Sequence, residues 1–204
     1  MTDALPEEKV ISQTHRVAFQ GYFRIGEYRF RHTLFQGGVS PEIKREVFER
    51  GHAAAVLPYD PMLDRVVLIR QFRPGALVAG RHAWLWEAVA GVIEDGETPE
   101  GLVRREAQEE AGLQLQAVIP IFTWLSSPGG SSETTAGFCG RVDSRGVGGV
   151  HGLVDEGEDI LVRTFSLDEA RALLDRGEIG SATGIVTLQW LLLNRDAVRA
   201  AWST

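Results

Sequence analysis

The sequence predicts an α+β fold, a sandwich of sheet and helices rather than a regular alternation of strand and helix. Three observations carry this. Strand-like segments come in runs broken by only a few helical stretches. The first fifty residues read as a small β unit, too short to hold a good core alone. The segment after Glu97 carries start and stop signals of a helix.

Taken in order, "GYFRIGEYRFRHTLF" alternates aromatic and polar residues as half-buried strands do. "GHAAAVLPYD" and "RVVLIRQF" read as two strands joined by the turn signal "YDPMLD". "AWLWEAVAGVIE" reads as one further strand. A helix then starts at Thr98, a suitable N-cap, with Pro99 at its first position and Gly112 at its C-terminal end. "AVIPIFTWL" and "TAGFCGRV" read as strands, followed by the glycine-rich loop "DSRGVGGVHGLVDEGED" and the short strand "ILVRTF". Ser166 and Glu169 form a capping box for "LDEARALLDRG". "GIVTLQWLLLNRDAVRAAW" closes the chain as a helix.

The chain has 204 residues and a formal net charge of −7, which argues against general attraction to nucleic acid or an anionic membrane. An anionic substrate would then need bound cations or local arginines. One cysteine, Cys139, forbids an intrachain disulfide and reads as a small core residue. It fits a reducing, cytoplasmic setting. The first fifteen residues have neither the basic nor the apolar region of a signal peptide, and no apolar run reaches the ~18 residues of a membrane span. The five histidines show no zinc-like spacing.

The helix after Thr98 raises the chemical question. At about 100° per residue from Leu102, Glu106, Glu109 and Glu110 fall within an arc of about 100° that also holds Leu102 and Val103. The carboxylates therefore share the face that should pack inward, and no Lys or Arg lies inside that arc. Two carboxylates ~5 Å apart repel by roughly 3 kcal/mol at an effective dielectric of 20. A solvated acidic stripe is one reading. A partly buried face would instead need cations or shifted pKa values, and oxygen-only donors suit hard ions such as Mg²⁺ or Mn²⁺.

Gly91, Glu97, Arg105, Glu106, Ala107, Glu109, Glu110, Gly112 and Leu113 stand at the spacing of the Nudix hydrolase pattern. Only Ala107 departs from it, being smaller than the usual aliphatic residue. The sequence thus resembles the Nudix hydrolases, which implies a Nudix fold of mixed β-sheets sandwiched by helices. By that resemblance Glu106, Glu109 and Glu110 bind metal, Glu97 and Arg105 hold the loop–helix–loop together, and the Ala90 carbonyl is a further ligand. Gly91, Glu97 and Gly112 form its structural frame, and Mg²⁺, or alternatively Mn²⁺, is the implied cofactor.

"RFRHTLF", "REVFERGHAAAVLPYDP", "VVLIRQFR", "SSPGGSSE", "HGLVDEGEDI" and "TLQWL" extend the resemblance along nearly the whole chain. They are similar to the ADP-ribose pyrophosphatase branch of the family. That branch implies hydrolysis of the ADP-ribose diphosphate to AMP and ribose 5-phosphate. It implies Glu156 as general base, with Glu109 and Arg105 in the catalytic machinery, and Glu158 as a metal ligand on a loop that closes. Arg73 suits a diphosphate contact or a surface ion pair. Tyr22 or Phe23, with Arg45, would sandwich adenine, or would serve ordinary strand packing, and Glu46 is a further substrate-binding candidate. Gly129 and Gly130 allow close approach of a ligand, with Ser132 or Glu133 near a ribose; a plain tight turn is the alternative. Trp84 and Trp86 read as core or interface.

The resemblance further implies an N-terminal β-sheet domain over residues 1–50, swapped in a homodimer so that Arg45 serves the neighbouring subunit's site, and a catalytic domain over 51–204. Another nucleoside diphosphate sugar such as GDP-mannose, or a dinucleoside polyphosphate, is an alternative substrate. A ligand sensor without chemistry is the rival from another class.

Overall fold

The computed structural model describes residues 6–153, 155 and 157–202. They form two compact units, Met1–Gly51 with Leu125–Glu133, and His52–Trp124 with Thr134–Thr204.

The first unit is an antiparallel three-stranded sheet of β1 (Val10–Gln20), β2 (Arg24–His32) and β3 (Ile43–Glu49), in that order. Only β2 supplies well-buried positions; β1 is exposed along its whole length. The register sets Tyr28 opposite Arg45 and Glu27 opposite Glu46. Glu27 is 4% exposed and is surrounded by Arg16, Lys44 and Arg29 at 2.6, 2.6 and 3.5 Å. The Lys44 hydrogen bond, with help from Arg16, holds its carboxyl below the usual range against the opposing effect of burial. The segment 125–133 belongs to this unit as well. Phe48 donates its N–H to the Gly130 carbonyl at 2.8 Å, and Ser132 donates to the Phe48 carbonyl at 3.2 Å.

The second unit is built on an eight-stranded mixed sheet. Its strands are β4 (Ala53–Asp60), β5 (Arg65–Phe72), β6 (Trp84–Glu87), β7 (Val89–Val92), β8 (Ala117–Leu125), β9 (Thr134–Arg141), β10 (Gly149–His151) and β11 (Ile160–Ser166). The main path runs β10-β11-β5-β4-β9-β8, with β6 on β5 and β7 on β4. The helices are α1 (Pro74–Val78), α2 (Pro99–Ala111), α3 (Leu167–Asp175) and α4 (Ala182–Ala201). None of the described helices is long and apolar enough to cross a membrane.

β4 is buried at every position, which an amphipathic strand could not be. Its successive side chains feed two separate cores. Ala54 and Val56, with Val67 and Ile69 of β5, pack with Leu102, Val103 and Ala107 of α2. Leu57 and Tyr59, with Val66 and Leu68, pack with Leu173 of α3 and Leu188 and Leu191 of α4. The sheet is therefore covered on both faces, the sandwich expected from the alternation of strand runs and helices. β4 joins β9 in parallel, Ala53 to Tyr59 against Thr135 to Arg141, the one parallel pair registered among the described strands.

The stretch expected as a single strand over "AWLWEAVAGVIE" is instead two strands. Trp84–Glu87 pairs with β5 and Val89–Val92 pairs with β4, so the chain changes partner at Ala88. Alternation alone does not reveal such a change, because both halves keep a period of two. α1 and β10 also lie in stretches not expected to be regular. α1 begins with Pro74 at its first turn, and β10 pairs with β11 inside the glycine-rich loop.

Candidate active site

α2 is fixed at both ends by local chemistry. The Thr98 side chain accepts the Gly101 N–H at 3.1 Å. Gly112 takes φ 61°, a left-handed value that suits glycine, and donates to the Gln108 carbonyl at 3.0 Å. Between these ends Leu102, Val103, Ala107, Glu110 and Ala111 are buried, so the helix does turn part of its acidic face inward. Glu110 is 3% exposed, while Glu106 and Glu109 are half-buried.

One expectation is corrected. The arc was expected to hold no compensating cation, but Arg105 reaches into it, meeting Glu109 at 2.8 Å and Glu106 at 3.2 Å. A guanidinium on a long stem is not confined to the direction of its own Cβ. Arg105 also binds Glu97 through Nε at 3.1 Å, while Glu97 accepts the Glu94 N–H at 3.2 Å. These bonds tie the preceding loop to the helix and hold the Glu97 carboxyl low, the Arg105 hydrogen bond being the main cause.

Compensation is incomplete. Burial, then repulsion from Glu109 and Glu158, pushes the Glu106 carboxyl up to about 7 in spite of Arg105. Burial, then repulsion from Glu106 and Glu158, pushes Glu110 up to about 8, against the pull of Arg73 and the Ala90 N–H. Glu110 has two long hydrogen bonds, from Gln71 Nε2 and from the Ala90 N–H, each at 3.4 Å. Gly91 completes this side. A Cβ there would lie 2.1 Å from Glu106 Oε1 and 2.6 Å from its Cδ, so the carboxylate lies against bare backbone.

Glu158 is held by its own loop, Oε2 accepting the Leu153 N–H at 3.0 Å. Its charge still acts on Glu106 and Glu110. Glu156 lies outside the described residues. Arg73 donates from Nε to Glu87 Oε2 at 2.6 Å, the ion-pair alternative, although Glu87 is buried rather than at the surface.

The other residues expected to bind substrate belong to the first unit. Tyr22 is 95% exposed and stacks edge-on against Phe23, which in turn packs on Phe48. Arg45 donates to the Lys44 carbonyl at 2.7 Å, and Glu46 faces Glu27 across the strand pair. Glu133 meets Arg50 at 3.5 Å, and Arg50 lies 5.8 Å from the centre of the Phe23 ring. Nothing stands within 4 Å of where a Cβ would be at Gly129 or Gly130, so the fold itself does not demand glycine at either position.

Sequence reasoning did not single out Gln71, Glu87 or Arg50. A polar residue at a buried position of a strand was the available signal for Gln71 and Glu87.

Among the described residues no three acidic, histidine or cysteine side chains already stand together as an ion cage. The donor set nevertheless fits a hard divalent cation: it is all oxygen, crowded, partly desolvated and short of positive charge. The chain also matches the NUDIX domain model over residues 49–185.

It belongs to the Nudix family.

This Nudix protein is 46% identical to the ADP-ribose pyrophosphatase of Escherichia coli K12 over 185 residues, 91% of this chain and 88% of that protein. It is 38% identical to the ADP-ribose pyrophosphatase of Haemophilus influenzae, across 90% of this chain and 86% of the relative. A GDP-mannose pyrophosphatase of Klebsiella pneumoniae is 33% identical, across 86% and 88% respectively. A crystal structure described as an ADP compounds hydrolase aligns over the whole of both chains with a TM-score of 0.70 at 17% identity, a likeness of fold.

Proposed function

We propose that this Nudix protein hydrolyses the diphosphate of ADP-ribose to AMP and ribose 5-phosphate. The observation that carries the diphosphate chemistry is the face of α2, where buried Glu110 and half-buried Glu106 repel each other beside the open backbone of Gly91. The choice of ADP-ribose is supported by the likeness to the two bacterial ADP-ribose pyrophosphatases, greater than the likeness to the GDP-mannose enzyme.

Glu106, Glu109 and Glu110, with the Ala90 carbonyl and Glu158, would hold Mg²⁺, with Mn²⁺ as the other hard ion that fits. Divalent cations bound there would supply charge neutralisation at the diphosphate and acidity to the attacking water. Arg105 keeps Glu109 and Glu106 in place through the Glu97 anchor. Glu156 takes the water proton as general base. The new P–O bond forms as the bridging P–O bond breaks, and the ADP-ribose is divided between AMP and ribose 5-phosphate. Tyr22, Arg45, Glu46, Gly130, Ser132 and Glu133 would recognise the nucleoside and ribose, and Arg73 the diphosphate.

A homodimer and a cytoplasmic setting belong to the same reading. The first unit leaves the apolar side chains of Val10, Ile11, Val17, Phe19 and Phe35 exposed, which a second copy would cover.

The test is incubation with Mg²⁺ and ADP-ribose, with ADP-glucose, GDP-mannose and a diadenosine polyphosphate in parallel. AMP forming fastest from ADP-ribose, and ceasing with EDTA, is the expected result. Preference for GDP-mannose would overturn the substrate and favour the second reading, which rests on the GDP-mannose relative. Binding without hydrolysis of any would overturn the enzyme.

A further inference from the structure

Glu87 is the last residue of β6, opposite Ile69 of β5, and its side chain is 5% exposed. Two other buried carboxylates here are richly satisfied. Glu27 has three cations around it, and Asp60 accepts from Met62, Leu63 and Ser144. Glu87 has one polar partner among the described residues, Arg73. The contact is one-pronged: a single bond from Nε to Oε2 at 2.6 Å, instead of the two-pronged fork by which a guanidinium usually grips a carboxylate. The two terminal nitrogens of Arg73 have no hydrogen-bond partner among the described residues, and its side chain is 40% exposed. The backbone is held too, the Arg73 N–H donating to the Ala83 carbonyl at 2.8 Å. Its positive charge acts on Glu110, and Gln71, two residues before it, reaches Glu110 at 3.4 Å, so Arg73 lies near the carboxylate helix.

We propose that Glu87 is a positioning residue for diphosphate binding: it grips Arg73 by Nε and so presents the two terminal nitrogens to the phosphate oxygens of the substrate. This rests on the diphosphatase reading above. A guanidinium fixed in advance loses less freedom when it binds, and the cost of misplacing it falls on substrate affinity. A buried carboxylate also tempers the charge of Arg73, so that the fork acts through direction more than through net charge.

The test compares Glu87→Gln, Glu87→Ala, Arg73→Ala and the double Arg73→Ala/Glu87→Ala variant. KM and kcat for ADP-ribose are measured with Mg²⁺. Binding of an ADP-ribose analogue with a methylene bridge in its diphosphate is followed by calorimetry. Glu87→Ala should raise KM and the analogue Kd by about tenfold while kcat stays within about threefold, and Glu87→Gln, which keeps an acceptor for Nε, by about threefold or less. In the Arg73→Ala background the loss of Glu87 should add less than about twofold, because its effect passes through Arg73. If Glu87→Ala does not fold, Glu87→Gln with and without Arg73→Ala carries the same comparison. Unchanged KM in a folded Glu87→Ala variant, or a full effect persisting without Arg73, would overturn the proposal alone. A wild-type protein that neither hydrolyses ADP-ribose nor binds the analogue would overturn it together with the function.

Discussion

Gly91 is the residue at which local chemistry and the site meet most directly. A methyl group there would occupy the place of Glu106 Oε1, so Gly91→Ala must displace that carboxylate. Misplacement by about 1 Å can cost on the order of 100-fold in rate, and such a loss of turnover is expected with an unchanged circular dichroism spectrum. Wild-type turnover in the variant would show that Glu106 does not act from this position. Cys139 makes the opposite case, a reactive side chain silenced by its surroundings. Burial pushes its thiol up to about 12, so the thiolate is scarce at neutral pH. A thiol reagent should label it at the rate of unfolding, and labelling in native buffer faster than unfolding would contradict its burial. The Gly91 spacing was legible in the sequence. The grip of Arg105 on Glu106 and Glu109 was not, because helical angles place Cβ atoms and do not say where a long side chain ends.

α2, and the capping box of α3 formed by Ser166 and Glu169, were legible because their signals lie within a few residues of each other. The β4–β5 turn was legible for the same reason, and the structure adds what holds it. Asp60, 2% exposed, accepts the Met62 and Leu63 N–H groups at 2.9 and 3.0 Å and the Ser144 N–H and hydroxyl at 2.8 and 2.9 Å. Burial acts to raise its carboxyl, but these hydrogen bonds outweigh it and leave the group below the ordinary aspartate value. A folded value below the unfolded one gives stability that is complete above about pH 4 and is lost as pH falls through the folded value. Asp60→Asn should therefore lower stability at pH 7 by about 1–3 kcal/mol. The gap from wild type in urea unfolding should narrow at pH 3, and a gap equal at both pH values would refute this account. The division of β6 from β7 had no such local signal. It follows from which strands lie beside Ile69 and Val56, which are far away in sequence.

At the scale of the whole molecule, the second unit brings the carboxylates of α2 and of Glu158 under one another's influence, together with Arg73 from the end of β5. A cation that relieves this repulsion binds the folded chain and not the unfolded one, adding about 2.7 kcal/mol at 100 times its Kd. Mg²⁺ should therefore raise the melting temperature and EDTA reverse it, with a smaller shift in Glu110→Gln. An equal shift in that variant would place the ion elsewhere. Sedimentation velocity tests the exposed sheet of the first unit: a particle of twice the chain mass is expected, and a monomer at micromolar concentration would refute the dimer. The linear order of residues already specified the α+β class, the capped acidic helix and the chemistry of its donors, because helix caps, turn signals and periodicity act between neighbours along the chain. Folding in three dimensions decided the parallel pairing of β4 with β9, the change of partner at Ala88, the return of 125–133 to the first unit, and the pairing of Glu87 with Arg73. Each of these joins residues that only packing brings together, and their energies depend on burial and direction that no spacing encodes.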